Sequence, residues 1–199
     1  MVDHGVRREI DEALSIAERS ADDMTLGFAM FALSAALLHQ DSPEIERALE
    51  LLEQLRAMCV QGRFYSSEIP SIDIWIGVSL DRRGDRDRAI RLVRGAVNDV
   101  FDAGQLAYFV AGTGVLAEML LDRGGSDDLD EVQAAIDRLA AAPLGDEYVL
   151  RDLILLRLPA LLARAHGDEV GYRDFAARYR KMATDLGFEG HMALAEAMT

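Results

Sequence analysis

Leu26-Gly27-Phe28 returns as Leu186-Gly187-Phe188, 160 residues later. Between the two copies, aromatic residues open further predicted helices at Tyr65, Tyr108 and Tyr148, so the steps from Phe28 are 37, 43, 40 and 40 residues. A second register runs beside the first. The breakers Asp41-Ser42-Pro43, Gly84-Asp85, Gly124-Gly125 and Gly167-Asp168 recur about every 41 residues. A period of roughly 20 to 50 residues constrains a fold more than any local preference, because each unit is too small to bury its own apolar face and must stack on the next.

Each breaker places a glycine or proline before an acidic or polar residue, the arrangement expected where one helix stops and the next is capped. Between breakers the apolar spacing is helical, as in Ile45, Ala48, Leu49, Leu52 and Leu55, or Ile90, Val93, Ala96, Val97 and Val100. The pattern predicts ten helices, near 5–19, 22–40, 43–61, 67–83, 85–103, 105–123, 127–141, 146–166, 168–186 and 188–198. The fold class expected is all-α, a right-handed solenoid of antiparallel helix pairs in one helical-repeat domain spanning 1–199. A lone second-type helix starts the chain and a lone first-type helix ends it, so both are expected to cap the stack.

Gly77, Leu80, Gly84, Asp85, Ala89, Val93 and Ala96 fall at the spacing of the tetratricopeptide signature, and on these residues the chain resembles that family. Trp75 stands two places past the position the family favours, and the period of about 40 exceeds the 34 typical of it. Ala36 and Ala48 fit the second repeat; Gly124 to Val132 carries extra residues, and Pro159 is expected to interrupt its helix. Towards the end, Ala163-Arg164-Ala165-His166-Gly167-Asp168, Tyr172, Arg178-Tyr179 and Leu186 to His191 resemble the C-terminal tails of large actinobacterial adenylate-cyclase-type or LuxR-type ATPase regulators. That resemblance implies a regulatory tail in a signalling or transcription-control protein.

A formal charge of −14 repels phosphate backbones and anionic headgroups, so neither nucleic acid nor a membrane surface is an expected partner. Arg7-Arg8, Arg82-Arg83 and Arg86-Asp87-Arg88 are interleaved with acids, as on a solvated helix face. Cys59 is the single cysteine, which excludes an internal disulfide and a cysteine-based zinc cluster. The stretch from Met1 to Asp11 is charged and no apolar run approaches the roughly 20 residues of a membrane span, so the expected location is the cytoplasm. Lys181 is the only lysine, so nearly all positive charge is arginine.

Catalytic chemistry finds no pattern. No two of His4, His39, His166 and His191 lie three or four residues apart, as a helical metal pair requires; His39 and His166 belong in last turns, where a histidine bonds free carbonyls. Ala111-Gly112-Thr113-Gly114 lacks the Gly-Lys-Ser/Thr ending of a phosphate loop, so its glycines signify close helix approach. Asp22-Asp23, Asp127-Asp128 and Asp130-Glu131 sit at helix starts, where carboxylates cap amides. The expectation is a chain that is not an enzyme and uses no cofactor and no metal.

What remains is the inner face built by the first helix of each pair. By the tetratricopeptide pattern its groove takes in Met30, Leu33, Leu37, Ile74, Val78, Asp81, Arg82, Gly114, Glu118, Ile154, Arg157, Leu161 and Arg164, with Trp75 and Tyr108 beside it. The aliphatic members double as core. Arg82, Arg157 and Arg164 are the expected ligand contacts, since an arginine fork holds a carboxylate through two bonds. The expected occupant is a protein partner, as a peptide or domain; the alternative is a small-molecule effector with acid groups, and an exposed solenoid end leaves room for a homodimer.

Overall fold

The computed structural model describes residues 4–40, 44–145 and 148–198. These form ten α-helices: α1 His4–Ser20, α2 Asp23–Leu38, α3 Ile45–Val60, α4 Ile69–Arg82, α5 Arg86–Asp102, α6 Leu106–Arg123, α7 Ser126–Ala140, α8 Val149–Ala165, α9 Glu169–Leu186 and α10 Glu189–Glu196. The expected count and order hold, and the breaker Asp41-Ser42-Pro43 lies outside the described residues. Two elements differ from expectation. A short 3-10 turn, Ser66–Glu68, precedes α4, and Pro70 occupies the first turn of α4, where its missing N–H has no intrahelical partner to lose. α8 runs through Pro159 rather than stopping there, because apolar packing on both sides of the proline outweighs one lost backbone bond.

The glycine breakers end helices by geometry. At Gly84, φ is +95°; its N–H donates to Asp81 O and that of Asp85 to Leu80 O, both at 2.9 Å, so two orphan carbonyls are satisfied in one turn. The long-range bond of this motif recurs from Arg63 to Met58, Asp168 to Ala163 and Phe188 to Ala183. Helix starts use acids as expected: Asp22 accepts from the amides of Met24 and Thr25, and Asp168 from that of Gly171 at 2.9 Å.

Two compact units divide the chain, Met1–Val100 and Phe101–Thr199. In the first, α1 packs on α2, α2 on α3 and α3 on α4. Leu33, Leu37, Leu52, Leu55, Ile72 and Leu80 have no or almost no exposed surface. Close approach depends on small residues: a Cβ on Gly77 would lie 2.2 Å from Val93 Cγ2, and one on Gly27 2.4 Å from the Phe64 ring. In the second unit, α6 packs on both α7 and α8, and α8, α9 and α10 follow in sequence. Tyr179, Leu153, Ala160, Ala183 and Ala195 form its terminal core. Three features position the site: the α6–α8 contact, the α8–α9 hairpin turning at Gly167-Asp168, and α10 lying on α9.

Candidate functional site

On α8, Arg157, Leu161 and Arg164 stand at helical spacing and share one face; on α6, Glu118, Leu121 and Asp122 do the same. Where these faces meet they enclose an open cleft of about 340 Å³. Four of the predicted groove residues, Glu118, Arg157, Leu161 and Arg164, are brought together here, with Leu161 between the arginines.

Arg157 is 8% exposed, and its two terminal nitrogens donate to the two carboxylate oxygens of Glu118, one of the pair at 3.0 Å. Burial is the largest single influence and opposes the positive charge, but the hydrogen bonds to Glu118, its negative charge and Tyr179 together outweigh it and hold the guanidinium's pKa above its ordinary value. The Nε–H of Arg157 is buried and has no hydrogen-bond partner among the described residues. Arg164, seven residues on, is exposed and stacks over the Tyr172 ring at 5.4 Å. The cleft therefore carries one arginine locked to a carboxylate and one at the surface, with leucine walls.

Behind the cleft the hairpin continues the pattern. Tyr172 and Tyr179 are also seven residues apart, and each lies as far beyond Asp168 as its arginine lies before it, so an antiparallel pair sets Arg164 opposite Tyr172 and Arg157 opposite Tyr179. Electrostatic interaction between Arg157 and Tyr179 agrees with that register. The tyrosines then reach the end of the chain: the Tyr179 hydroxyl is bonded to His191 Nδ1 at 2.7 Å, and that of Tyr172 donates to Met198 O. His191 and Met198 are again seven apart. Two polar rungs, Arg157–Tyr179–His191 and Arg164–Tyr172–Met198, thus cross from α8 over α9, the first to α10 and the second to the residues just after it. Burial, then the nearby Arg157 charge, push the His191 pKa below its usual value, and burial pushes that of Tyr179 up.

The remaining predicted site residues lie elsewhere. In the first unit, Leu33 is fully enclosed, and Met30 and Ile74 are 4% and 7% exposed. Trp75 is half-buried, its ring edge-on to His39 at 5.5 Å and to Phe31 at 6.3 Å. Arg82 is exposed overall and donates to Leu38 O, one of the last carbonyls of α2, so it caps the end of that helix. His39 also serves that end, with Nδ1 2.8 Å from Ala35 O. A second groove of about 300 Å³, walled by Leu26, Met30, Leu51 and Met58, opens between α1, α2 and α3. Tyr108, on α6 in the second unit, is 38% exposed and is absent from the cleft lining.

Sequence reasoning missed Leu121, Asp122 and the roles of Tyr172, Tyr179 and His191. The repeated spacing of seven in α8, α9 and the terminal segment was the available signal; pairing the three sets requires the tertiary register.

Burial pushes the pKa of the Cys59 thiol up, which leaves it protonated and unreactive at neutral pH. Among the described residues no three His, Cys, Asp or Glu side chains are grouped to hold a metal ion, and no helix is long and apolar enough to cross a membrane.

No family model matches the chain, and no curated protein is similar to it. A solved structure is similar in fold: a crystal structure of a variant of the nearly identical TPR-like repeats of a Podosopora anserina kinesin light chain. The match has a TM-score of 0.63 at 14% identity and covers 92% of this chain and 89% of that one. The fold of this chain is therefore that of TPR-like helical repeats.

Proposed function

We propose that this TPR-like chain is a non-catalytic interaction module, and that a peptide segment or domain of a protein partner seats on the face shared by α6 and α8. The observation that carries this reading is the cleft itself. The Arg157–Glu118 fork fixes its floor, Leu121 and Leu161 offer apolar walls, and Arg164 presents a cation held over Tyr172 at the rim. A partner side chain with an apolar body and a carboxylate fits that sequence of groups, since arginine binds carboxylates through its fork and leucine surfaces take up the stem. TPR-like repeats are a fold of the kind that mediates protein interactions, which agrees in general terms.

The resemblance of residues 163–191 to the tails of actinobacterial regulators supports a regulatory role, with the chain acting as one cytoplasmic domain over 1–199 beside a signalling or transcription-control module. The test is capture with a photo-crosslinking residue at Leu161, followed by mass spectrometry of the cross-linked peptide. The expected product is a defined partner peptide with an acidic residue, lost in Arg164→Ala. Equal capture of the same proteins by wild type and Arg164→Ala sinks the reading. A small acidic molecule is the alternative occupant, favoured by a cleft volume at the lower end of small-ligand pockets, about 300 Å³ and above. Native mass spectrometry distinguishes it by a reproducible added mass of a few hundred daltons.

A further inference from the structure

The first rung joins the cleft to a titratable group on the last helix. Arg157 stands at the cleft floor, Tyr179 is fully buried behind it, and His191 closes the rung with its 2.7 Å bond to the tyrosine hydroxyl. The groups acting on His191 come from three helices: Tyr179 from α9, Arg157 from α8 and Glu118 from α6. Arg180 of α9 faces α10 at Ala195 O, 3.4 Å away, and Phe188 lies beside the imidazole with ring centres 6.2 Å apart. Across buried, low-dielectric surroundings a charge added in the cleft is felt more strongly than it would be through water.

We propose that the cleft is proton-linked: an anionic group brought to Arg157 and Arg164 is bound together with a proton on His191, so that occupancy of the cleft strengthens as pH falls through the histidine range. This rests on the cleft being the binding site, and adds its regulation. The sign follows from the charges. Arg157 disfavours a second cation at His191 and Glu118 favours it. A further carboxylate in the cleft adds to the effect of Glu118, raises the proton affinity of His191, and by reciprocity is itself bound more tightly by the protonated chain. Burial and then the Arg157 charge disfavour the charged ring, and it is this cost that a carboxylate added in the cleft offsets.

The linkage is tested in the full chain without any ligand, by following the imidazole resonances by proton NMR against pH, with His191→Gln identifying the signal. Leu161→Glu places a carboxylate on the cleft wall, and Leu161→Gln is its neutral control. The expected result is a His191 midpoint higher in Leu161→Glu than in Leu161→Gln, by on the order of half a pH unit, and a lower midpoint in Glu118→Gln than in wild type. Glu118→Gln keeps an acceptor for Arg157 but removes the counter-charge of a buried guanidinium, so circular dichroism first establishes that this variant is folded, and the Leu161 pair carries the test where it is not. Midpoints that coincide in all variants overturn the proposal. Shifted midpoints together with partner capture indifferent to Arg164→Ala leave the linkage standing and remove the docking reading, so the two failures are distinguishable.

Discussion

Ala21, between α1 and α2, has φ of +56°, the one non-glycine among the described residues in the left-handed region. A Cβ there costs roughly 1 kcal/mol or more relative to glycine. Glycine at this position loses more chain entropy on folding, but the relief of strain is larger, as at the six glycines that take the same backbone form, Gly62 to Gly187. Ala21→Gly is therefore expected to stabilise the chain by up to about 1 kcal/mol, read as a higher midpoint in urea; an unchanged or lower midpoint contradicts it. Arginine chemistry belongs to this scale as well. Arg47 bonds Asp11 once, while Arg63 bonds Asp23 and Arg157 bonds Glu118 through both fork nitrogens, at separations of 36, 40 and 39 residues, so each arginine reaches about one repeat back along the chain. The near absence of lysine has a structural counterpart here, since a lysine is a point charge and cannot make the two-bonded grip.

At the scale of elements, the packing of α4 on α5 decides what a glycine means. A mid-helix glycine ordinarily weakens a helix by about 1 kcal/mol relative to alanine. At Gly95, exposed on α5 with open space around it, that preference is all that operates, and Gly95→Ala is expected to raise the melting temperature. Gly77 is different, because its Cβ would meet a Val93 methyl at 2.2 Å and a β-branched side chain in a helix has essentially one rotamer to occupy. The overpacking cost, about 1–3 kcal/mol, outweighs the propensity gain, so Gly77→Ala is expected to lower the melting temperature. Opposite signs for one substitution in adjacent helices, measured by thermal unfolding, check the argument; equal signs refute it. Gly77 was legible in the sequence through its place in the tetratricopeptide spacing. Its partner was legible too, since Val93 belongs to the same signature, but the distance that sets the sign is a product of how the two helices cross.

For the whole molecule, the two compact units and the single-domain expectation lead to different unfolding behaviour. Repeat proteins derive stability from each unit and from neighbour contacts, and cooperativity survives only where those contacts are strong. One domain over 1–199 should unfold in a single calorimetric transition whose van't Hoff and calorimetric enthalpies agree. Two transitions would show that the division near Val100 and Phe101 is thermodynamic as well as geometric.

The sequence alone determined the helices, their order and their period, because turn chemistry and apolar spacing act over a few residues: Gly84-Asp85 ends a helix whatever lies around it. It also pointed to Glu118, Arg157 and Arg164 through a family spacing, without showing that two of them hold each other. Only the tertiary structure decided that Arg82 closes the end of α2, that Arg157 is locked to Glu118, and that two tyrosines join the cleft to His191 and Met198. The physical reason is range. An arginine or tyrosine has many acceptors within reach of its sequence neighbours, and which one it meets is fixed by the register in which distant helices pack, a choice made by the buried core as a whole and by no local signal.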